Sequence, residues 1–174
     1  GIIKLNRPVV VAPQTESVNK IIEKIASERF APIVRIDKEL NYQQLSHSYD
    51  NQTFLLWHSI KSESSYSGLK ENKKEDIELS IPLLGEHQMQ NAATAFKTLE
   101  VLKENGFRIT NNDLKKGFKC VVWPGRFEIL SKKPFLIIDS AHNVDSTRKL
   151  IKAIDDYFLR FQVVLVFGAS EGKD

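Results

Sequence analysis

Three polar side chains follow a short apolar run near the end of the sequence. In FLIIDSAHNVDS, residues 135–146, Asp139, His142 and Asn143 come directly after FLII. A carboxylate at a strand end suits sugar hydroxyls or a metal ion, and an asparagine before a helix can cap it. A helix start also offers unpaired N–H groups to an anion. These residues suit a ligand site, but turns are rich in such residues, and the spacing alone leaves a purely structural role equally open.

The elements around this stretch predict where it lies in the fold. An apolar strand at 135–138, an amphipathic helix at 144–158 and a second apolar strand at 162–170 form a β-α-β pattern. Continuous apolar strands are typical of a parallel sheet that is covered on both faces. Ligands bind outside the carboxyl ends of such strands. We therefore expect an α/β fold with a mainly parallel sheet, in which Asp139 and Gly168 end neighbouring strands beside a cleft.

The first half of the chain shows a similar alternation. The sequence predicts a strand in RPVVVAPQ, a helix from Thr15 to Phe30 with Thr15 as its N-cap, and a strand in PIVRID. Two further predicted strands, QTFLLWHSI and DIELSIPLL, flank a polar insert at 61–76 that we expect to be a solvated hairpin loop. These elements predict a second β-α-β unit followed by strands.

The pattern changes at Gly85, where strands give way to a long helix that Gly106 ends. We place the domain boundary at Leu84–Gly85, which divides the chain into residues 1–84 and residues 85–174. Short strands are also predicted in CVVW and FEIL, before and after a Pro-Gly turn.

Composition excludes several classes of protein. The 174 residues are 41% hydrophobic and 27% charged, with a net charge of +3, which is too small and too evenly spread to indicate a nucleic-acid surface. Cys120 is the single cysteine, so an intramolecular disulfide or a thiolate metal cluster is excluded. No apolar run approaches the roughly 20 residues of a membrane span. We expect a cytoplasmic protein that binds neither nucleic acid nor membrane, with Cys120 buried.

Four separated motifs carry a resemblance to a known family. GIIKLNRPVVVAPQ, GEHQMQNAATAF, WPGRFEIL and IIDSAHNVDS occur in the order and approximate spacing of the ATP-dependent amide ligases of the Mur ligase superfamily. The chain most resembles the folylpolyglutamate synthases and the bifunctional dihydrofolate/folylpolyglutamate synthases. This resemblance implies that residues 1–84 end the central ATPase domain and that residues 85–174 begin the Rossmann-like C-terminal domain. The family's glycine-lysine-serine phosphate loop is absent from the chain, so we expect the isolated fragment to be inactive.

The resemblance also implies a reaction and its site residues. ATP would phosphorylate a folate or dihydropteroate carboxylate, and the amine of L-glutamate would attack the acyl phosphate. Arg126 resembles the family arginine that reaches the γ-phosphate, and a guanidinium suits a multi-oxygen anion. Asn91 resembles the amide beside the adenine, Asp139 the aspartate that contacts the ribose or orients the nucleotide, and His142 the histidine near the incoming glutamate. Mg²⁺ is implied, with its ligands upstream of Gly1, and the full-length enzyme is expected to be a monomer.

Two residues depart from the family signature DGAHNP. Ser140 and Val144 replace its glycine and proline, and neither change removes a charged group. Two alternatives stay open: a Mur-type ligase acting on a cell-wall precursor, and a non-catalytic relative that keeps the cleft only to bind nucleotide. The sequence also leaves the pteridine substrate and the number of added glutamates open.

Overall fold

The computed structural model describes residues 1–59 and 76–168 as a mixed α/β fold. Most of the polar insert predicted to be a loop lies outside these residues. The elements, in chain order, are β1 (Val9–Val11), α1 (Glu16–Glu28), β2 (Ile33–Arg35), α2 (Ile36–Glu39), β3 (Leu40–His47), β4 (Gln52–His58), β5 (Ile77–Ile81), α3 (Glu86–Glu104), α4 (Asn111–Lys119), β6 (Glu128–Lys132), β7 (Phe135–Ile138) and α5 (Val144–Phe158).

The β-α-β unit predicted in the first half of the chain is present. Strand β1 pairs in parallel with β2, with Val9 opposite Ile33 and Val11 opposite Arg35, and α1 provides the crossover. Thr15 occupies the N-cap position of α1, but its side chain makes no capping hydrogen bond. The helical period of apolar residues in TESVNKIIEKIASERF was therefore sufficient to predict this helix and its start.

An antiparallel sheet in the order β3-β4-β5 forms the first hydrophobic core. Alternate residues of β4 and β5 point inward, so Phe54, Leu56 and Leu79 are completely or almost completely buried. Helices α3 and α4 cover this face. We call this cluster the sheet core; its buried members are Ile36, Leu40, Phe54, Leu56, Ile77, Leu79, Ile81, Met89, Ala92, Ala93, Phe96 and Leu114. Strand β3 was not predicted, because NYQQLSH is almost entirely polar and lies at the sheet edge with one neighbour.

Helix α5 packs against the β6-β7 pair to form a second, smaller core. Its buried members are Leu84, Phe127, Ala153, Tyr157 and Phe158, with Tyr49 and Phe135 packed against them. We call this cluster the aromatic core. The rings of Tyr49 and Phe158 stack at 5.3 Å, so the turn between β3 and β4 contributes a ring to the core of the following region.

The parallel sheet predicted for residues 120–170 is wrong for the part of that stretch that the structure describes. Strands β6 and β7 are antiparallel, because only Lys133 and Pro134 connect them, and a parallel pair needs a crossover of about a dozen residues. The strand predicted in CVVW is absent, and so is the one predicted at 162–170 as far as Gly168. Apolar side chains of that last segment are exposed: Val163, Val164, Leu165, Val166 and Phe167.

The sheet core extends across the predicted boundary at Leu84–Gly85, since Leu79 and Met89 both belong to it. Helix α3 ends as predicted, with Gly106 at a φ of +95° and its N–H donating to the Lys103 carbonyl. Cys120, which was predicted to be buried, is exposed at the end of α4. None of the helices in the described ranges is long and apolar enough to cross a membrane.

Candidate active site

One cleft of about 520 Å³ contains all four residues that the sequence singled out. Asn91, Arg126, Asp139 and His142 line it together, although they come from three separate parts of the chain. Asn91 lies on the second turn of α3, Arg126 on the turn before β6, and the other two on the segment between β7 and α5. The cleft lies between the sheet core and the aromatic core.

Backbone conformation fixes the turn that carries Arg126. Gly125 and Phe127, on either side of it, adopt positive φ values of +71° and +48°. Only glycine enters this region without steric cost, so Phe127 needs compensating contacts. The Gly125 N–H donates to Glu128 Oε2 at 2.8 Å, and the Phe127 side chain is buried in the aromatic core. The exposed guanidinium therefore projects from a turn that is held on both sides.

Asp139 ties this turn to the next segment of the cleft wall. Its Oδ2 accepts the Phe127 N–H at 2.8 Å, and its Oδ1 accepts the Ala141 N–H at 2.7 Å. The Ser140 N–H adds a bond to the Gly125 carbonyl at 3.0 Å. Each carboxylate oxygen keeps further lone pairs for a ligand. Asp139 thus has a structural role of the kind left open by the sequence, and this role does not use all of its hydrogen-bonding capacity.

His142 and Asn143 arrange the start of α5. The carbonyl of Ser140 lies 2.9 Å from His142 Nδ1; because a carbonyl only accepts, Nδ1 carries a proton and Nε2 is left for another partner. Asn143 caps α5 as predicted: its Oδ1 accepts the Ser146 N–H at 2.9 Å, and Ser146 Oγ accepts the Asn143 N–H at 3.1 Å. The capping box fixes the direction of the helix that forms one wall of the cleft.

A chain of amides links Asn91 to a histidine. Asn91 Nδ2 donates to Gln88 Oε1 at 3.1 Å, and Gln88 Nε2 lies 3.1 Å from His87 Nε2. The Nδ1–Cε1 edge of the imidazole lies against Gly85, where a Cβ would come within 2.9 Å of His87 Cε1. Gly85 also has a φ of +101°, so both the backbone and the ring require glycine here.

Charged groups of both signs surround His87. Burial lowers the pKa of its imidazole, Lys149 and Arg126 lower it further, and the carboxylates of Asp139 and Asp145 oppose the shift. Lys149 Nζ pairs with Asp145 Oδ2 at 2.6 Å. The cleft therefore has two cationic side chains, Arg126 and Lys149, of which Lys149 is paired with Asp145.

Several lining residues were not predicted as site residues. Lys149 and Ser146 line the cleft with His142. Lys149 is three residues after Ser146 on α5, so helical spacing could have indicated that these two share one face. His87 lines the cleft as well. Trp123 is 60% exposed and also lines it.

The described residues do not provide a metal site of their own. Within residues 1–59 and 76–168, no three His, Cys, Asp or Glu side chains come together as ligands would. The carboxylates beside the cleft bind backbone N–H groups or Lys149. This donor set does not fit a Mg²⁺ ion held by this part of the chain alone.

Comparison with known proteins gives the same resemblance as the motifs. Residues 125–174 match the glutamate ligase domain of the Mur ligase family. Over 175 aligned residues the chain is 31% identical to a dihydrofolate synthase/folylpolyglutamate synthase of Bacillus subtilis (strain 168), covering 99% of this chain and 37% of that protein. The resemblance predicted from the sequence is confirmed, and the chain spans little more than a third of that relative's length.

Solved structures agree in fold. A folylpolyglutamate synthase from Thermotoga maritima is 29% identical, with a TM-score of 0.70 over 91% of this chain and 34% of that one. The structure of an FPGS–AMPPCP–folate complex is 25% identical, with a TM-score of 0.76 over 90% of this chain and 35% of that one. The described fold is therefore the mixed α/β arrangement of these proteins.

Proposed function

We propose that this chain is part of a folylpolyglutamate synthase of the Mur ligase superfamily, an ATP-dependent ligase that adds L-glutamate to a folate or dihydropteroate carboxyl. In this proposal residues 1–84 end the central ATPase domain and residues 85–174 begin the C-terminal domain. The reaction would run through an acyl phosphate, which the glutamate amine attacks to give an amide and inorganic phosphate.

The observation that carries the proposal is the convergence of Asn91, Arg126, Asp139 and His142 on one cleft. Three separate motifs supply these residues, and the family resemblance assigns them to one nucleotide and one incoming amino acid. The relative solved with AMPPCP and folate supports the choice of ATP and folate as the ligands.

Arg126 has the most direct role in the proposed chemistry. Negative charge accumulates on the phosphoryl oxygens during transfer, and a preorganised cation stabilises that charge without reorganising during the step. Positive φ values at Gly125 and Phe127, and the hydrogen bond from Gly125 to Glu128, preorganise the turn. The guanidinium can therefore be presented to the γ-phosphate by a backbone that is already in place.

Asp139 and His142 would act on either side of that phosphate. Asp139 keeps lone pairs for a ribose hydroxyl while its Oδ2 accepts the Phe127 N–H and so helps to position the Arg126 turn. His142, with Nδ1 donating to Ser140, leaves Nε2 for the incoming glutamate. Mg²⁺ would neutralise phosphate charge when bound, although within residues 1–59 and 76–168 no three His, Cys, Asp or Glu side chains come together to hold it.

The proposal is tested by Arg126→Ala in the full-length enzyme. We expect glutamate-dependent release of ADP to slow by about a hundredfold or more, the loss typical of one preorganised charge at the reacting centre. Arg108→Ala is a matched control, because Arg108 is exposed on the loop between α3 and α4 and does not line the cleft. Unchanged turnover of Arg126→Ala would reject its role, and absence of folate- and glutamate-dependent ADP release in the wild type would reject the proposed function.

A second variant separates the proposed role of His142 from a structural one. If Nε2 positions glutamate, His142→Ala raises the glutamate concentration needed for half-maximal rate and leaves ATP dependence nearly unchanged. A structural tie of the turn would instead lower thermal stability and weaken the use of both substrates together. Measuring both dependences beside the melting temperature distinguishes the two.

A further inference from the structure

We propose that His87 acts through Gln88 to fix the orientation of the Asn91 amide, and thereby makes the cleft select a 6-amino purine over a 6-oxo purine. This inference rests on the proposed function, in which Asn91 lies beside the base of the nucleotide. His87 is then a positioning residue, since the group that meets the base is Asn91.

The hydrogen bonds determine which atom each amide presents. Gln88 Nε2 can only donate, so His87 Nε2, 3.1 Å away, must be an acceptor and carries no proton. This contact directs Gln88 Oε1 to the other side, where it accepts from Asn91 Nδ2 at 3.1 Å. Asn91 therefore keeps its Oδ1 and one N–H for a ligand.

Burial makes the wrong orientation of the Gln88 amide energetically costly. Gln88 is 5% exposed, so water does not readily replace a lost partner, and an unpaired buried amide is costly. Asn91 is exposed on the cleft wall, so its remaining acceptor and donor are open to a ligand. The hydrogen bonds through Gln88 thus couple the protonation state of the half-buried His87 ring to the orientation of the accessible Asn91 amide, one helical turn away.

The acceptor and donor that Asn91 leaves free match a 6-amino purine. Adenine presents an N6–H donor beside the N7 acceptor, and an asparagine side chain can pair with both. A 6-oxo purine presents acceptors at both positions, so the Asn91 Oδ1 would face O6 with no hydrogen between them. If Gln88 were reversed, Asn91 would give its Oδ1 to Gln88 and offer only N–H groups, which suit the 6-oxo base.

Protonation of His87 would drive that reversal. An imidazolium has no acceptor, so Gln88 would turn its Oε1 toward His87 and its NH₂ toward Asn91. The groups around the ring are Lys149 and Asp145 of α5, Arg126 of the turn before β6, and Asp139 after β7. Burial and the two cations lower the pKa of His87, which favours the neutral ring that can accept a hydrogen bond.

The test uses the full-length enzyme with ATP and inosine triphosphate, which differ at C6 and N1 of the base. Equilibrium binding and kcat/KM are measured for both nucleotides from about pH 8 to about pH 5. We expect wild type to prefer ATP at the upper end by about tenfold or more, the discrimination of one bidentate pair. The preference should fall toward the acidic end as His87 takes up a proton.

Two substitutions separate the roles of the ring. His87→Leu removes the acceptor and should lower the ATP preference by about tenfold at all pH values. His87→Gln supplies an acceptor that does not titrate, so it should keep the preference and abolish its decline in acid. Thr98→Ala, an exposed change on the same helix, should behave as wild type.

The outcomes are distinguishable from those of the proposed function. A folded His87→Leu protein with the wild-type ratio of ATP to inosine triphosphate overturns the inference, even where ligation proceeds. A pH-independent ratio in the wild type overturns it without reliance on any variant. Absence of ligation rejects the proposed function instead, and the binding ratio then still decides the role of His87; failure of both ATP and inosine triphosphate to bind rejects the proposed function and the inference together.

Discussion

The two hydrophobic cores on either side of the cleft differ in how completely they are closed. In the sheet core, Phe54 and Leu56 have no exposed surface and α3 covers them. The aromatic core is smaller, and apolar side chains on its elements stay open to solvent, among them Leu136 at 54% and Ile151 at 54% exposure. Asn91 therefore lies on a helix that packs against the closed sheet core, whereas Arg126 and its neighbours lie beside the more exposed aromatic core.

The aromatic core depends on side chains from the region that contains the sheet core. The ring of Tyr49, from the β3-β4 turn, lies 5.3 Å from that of Phe158 and 4.9 Å from that of Phe135. The buried amide of Gln52 donates to the carbonyl of Gly85, in the link that leads to α3. The position of Arg126 relative to Asn91 is therefore set by a few contacts at the junction rather than by one continuous core.

The largest expected effect is in the sheet core. Phe54→Ala should destabilise the protein by about 3–5 kcal/mol, the usual loss for a buried phenylalanine that leaves a cavity. Chemical denaturation followed by fluorescence of Trp57, on the same strand, measures it. Leu45→Ala is the control, because Leu45 is 51% exposed and should change little. A loss for Phe54→Ala below about 1 kcal/mol would contradict a closed core.

The next effect concerns the polar tie at the junction. Gln52 is completely buried, and its Nε2 donates to the carbonyls of Leu83 at 2.7 Å and Gly85 at 2.9 Å. Gln52→Leu would leave both without this partner, at a cost of about 1–3 kcal/mol for each carbonyl that stays unpaired. Thermal unfolding should show the loss, while the exposed Gln43→Leu stays near wild type. Equal melting temperatures for the two variants would show that the junction is held in another way.

Sequence reasoning succeeded where the signal is local. The period of α1 and α5, the cap at Asn143 and the glycine at Gly106 each depend on residues within a few positions, and each was confirmed. Asn91 and Asp139 could be placed beside one ligand only by the family resemblance, since spacing along the chain does not report which distant segments meet.

The wrong or missing predictions concern which segments and side chains contact each other, because the sequence pattern does not specify these contacts. The apolar run at 163–167 indicated burial, but apolarity does not specify a neighbouring strand, and none pairs with it in the described part of the chain. The two-residue link between β6 and β7 is itself a signal for an antiparallel pair, because a parallel pair needs a much longer crossover. The His87–Gln88–Asn91 contacts could not be derived, because helical spacing alone does not orient an amide.

A smaller effect is expected at the N-termini of α4 and α5, because each of the two regions uses a capping box there. Helix α4, on the sheet core, starts with a capping box of Thr110 and Asp113, and α5 starts with one of Asn143 and Ser146. Asn143→Ala and Thr110→Ala should each cost about 1 kcal/mol in the free energy of unfolding. Only Asn143→Ala should also weaken nucleotide binding, because α5 lines the cleft. Comparable loss of binding in Thr110→Ala would mean that the two regions respond as one unit.

The smallest effect is expected for the ion pair between Asp50 and Lys132, which joins the β3-β4 turn to β6. Lys132 Nζ lies 2.7 Å from Asp50 Oδ1, but the side chains are 48% and 71% exposed, so water and salt screen the attraction. A double-mutant cycle of Asp50→Asn and Lys132→Gln should give a coupling of about 0.5 kcal/mol or less that disappears in high salt. A salt-insensitive coupling above about 1.5 kcal/mol would instead make this pair, rather than Tyr49 and Gln52, the main tie between the two regions.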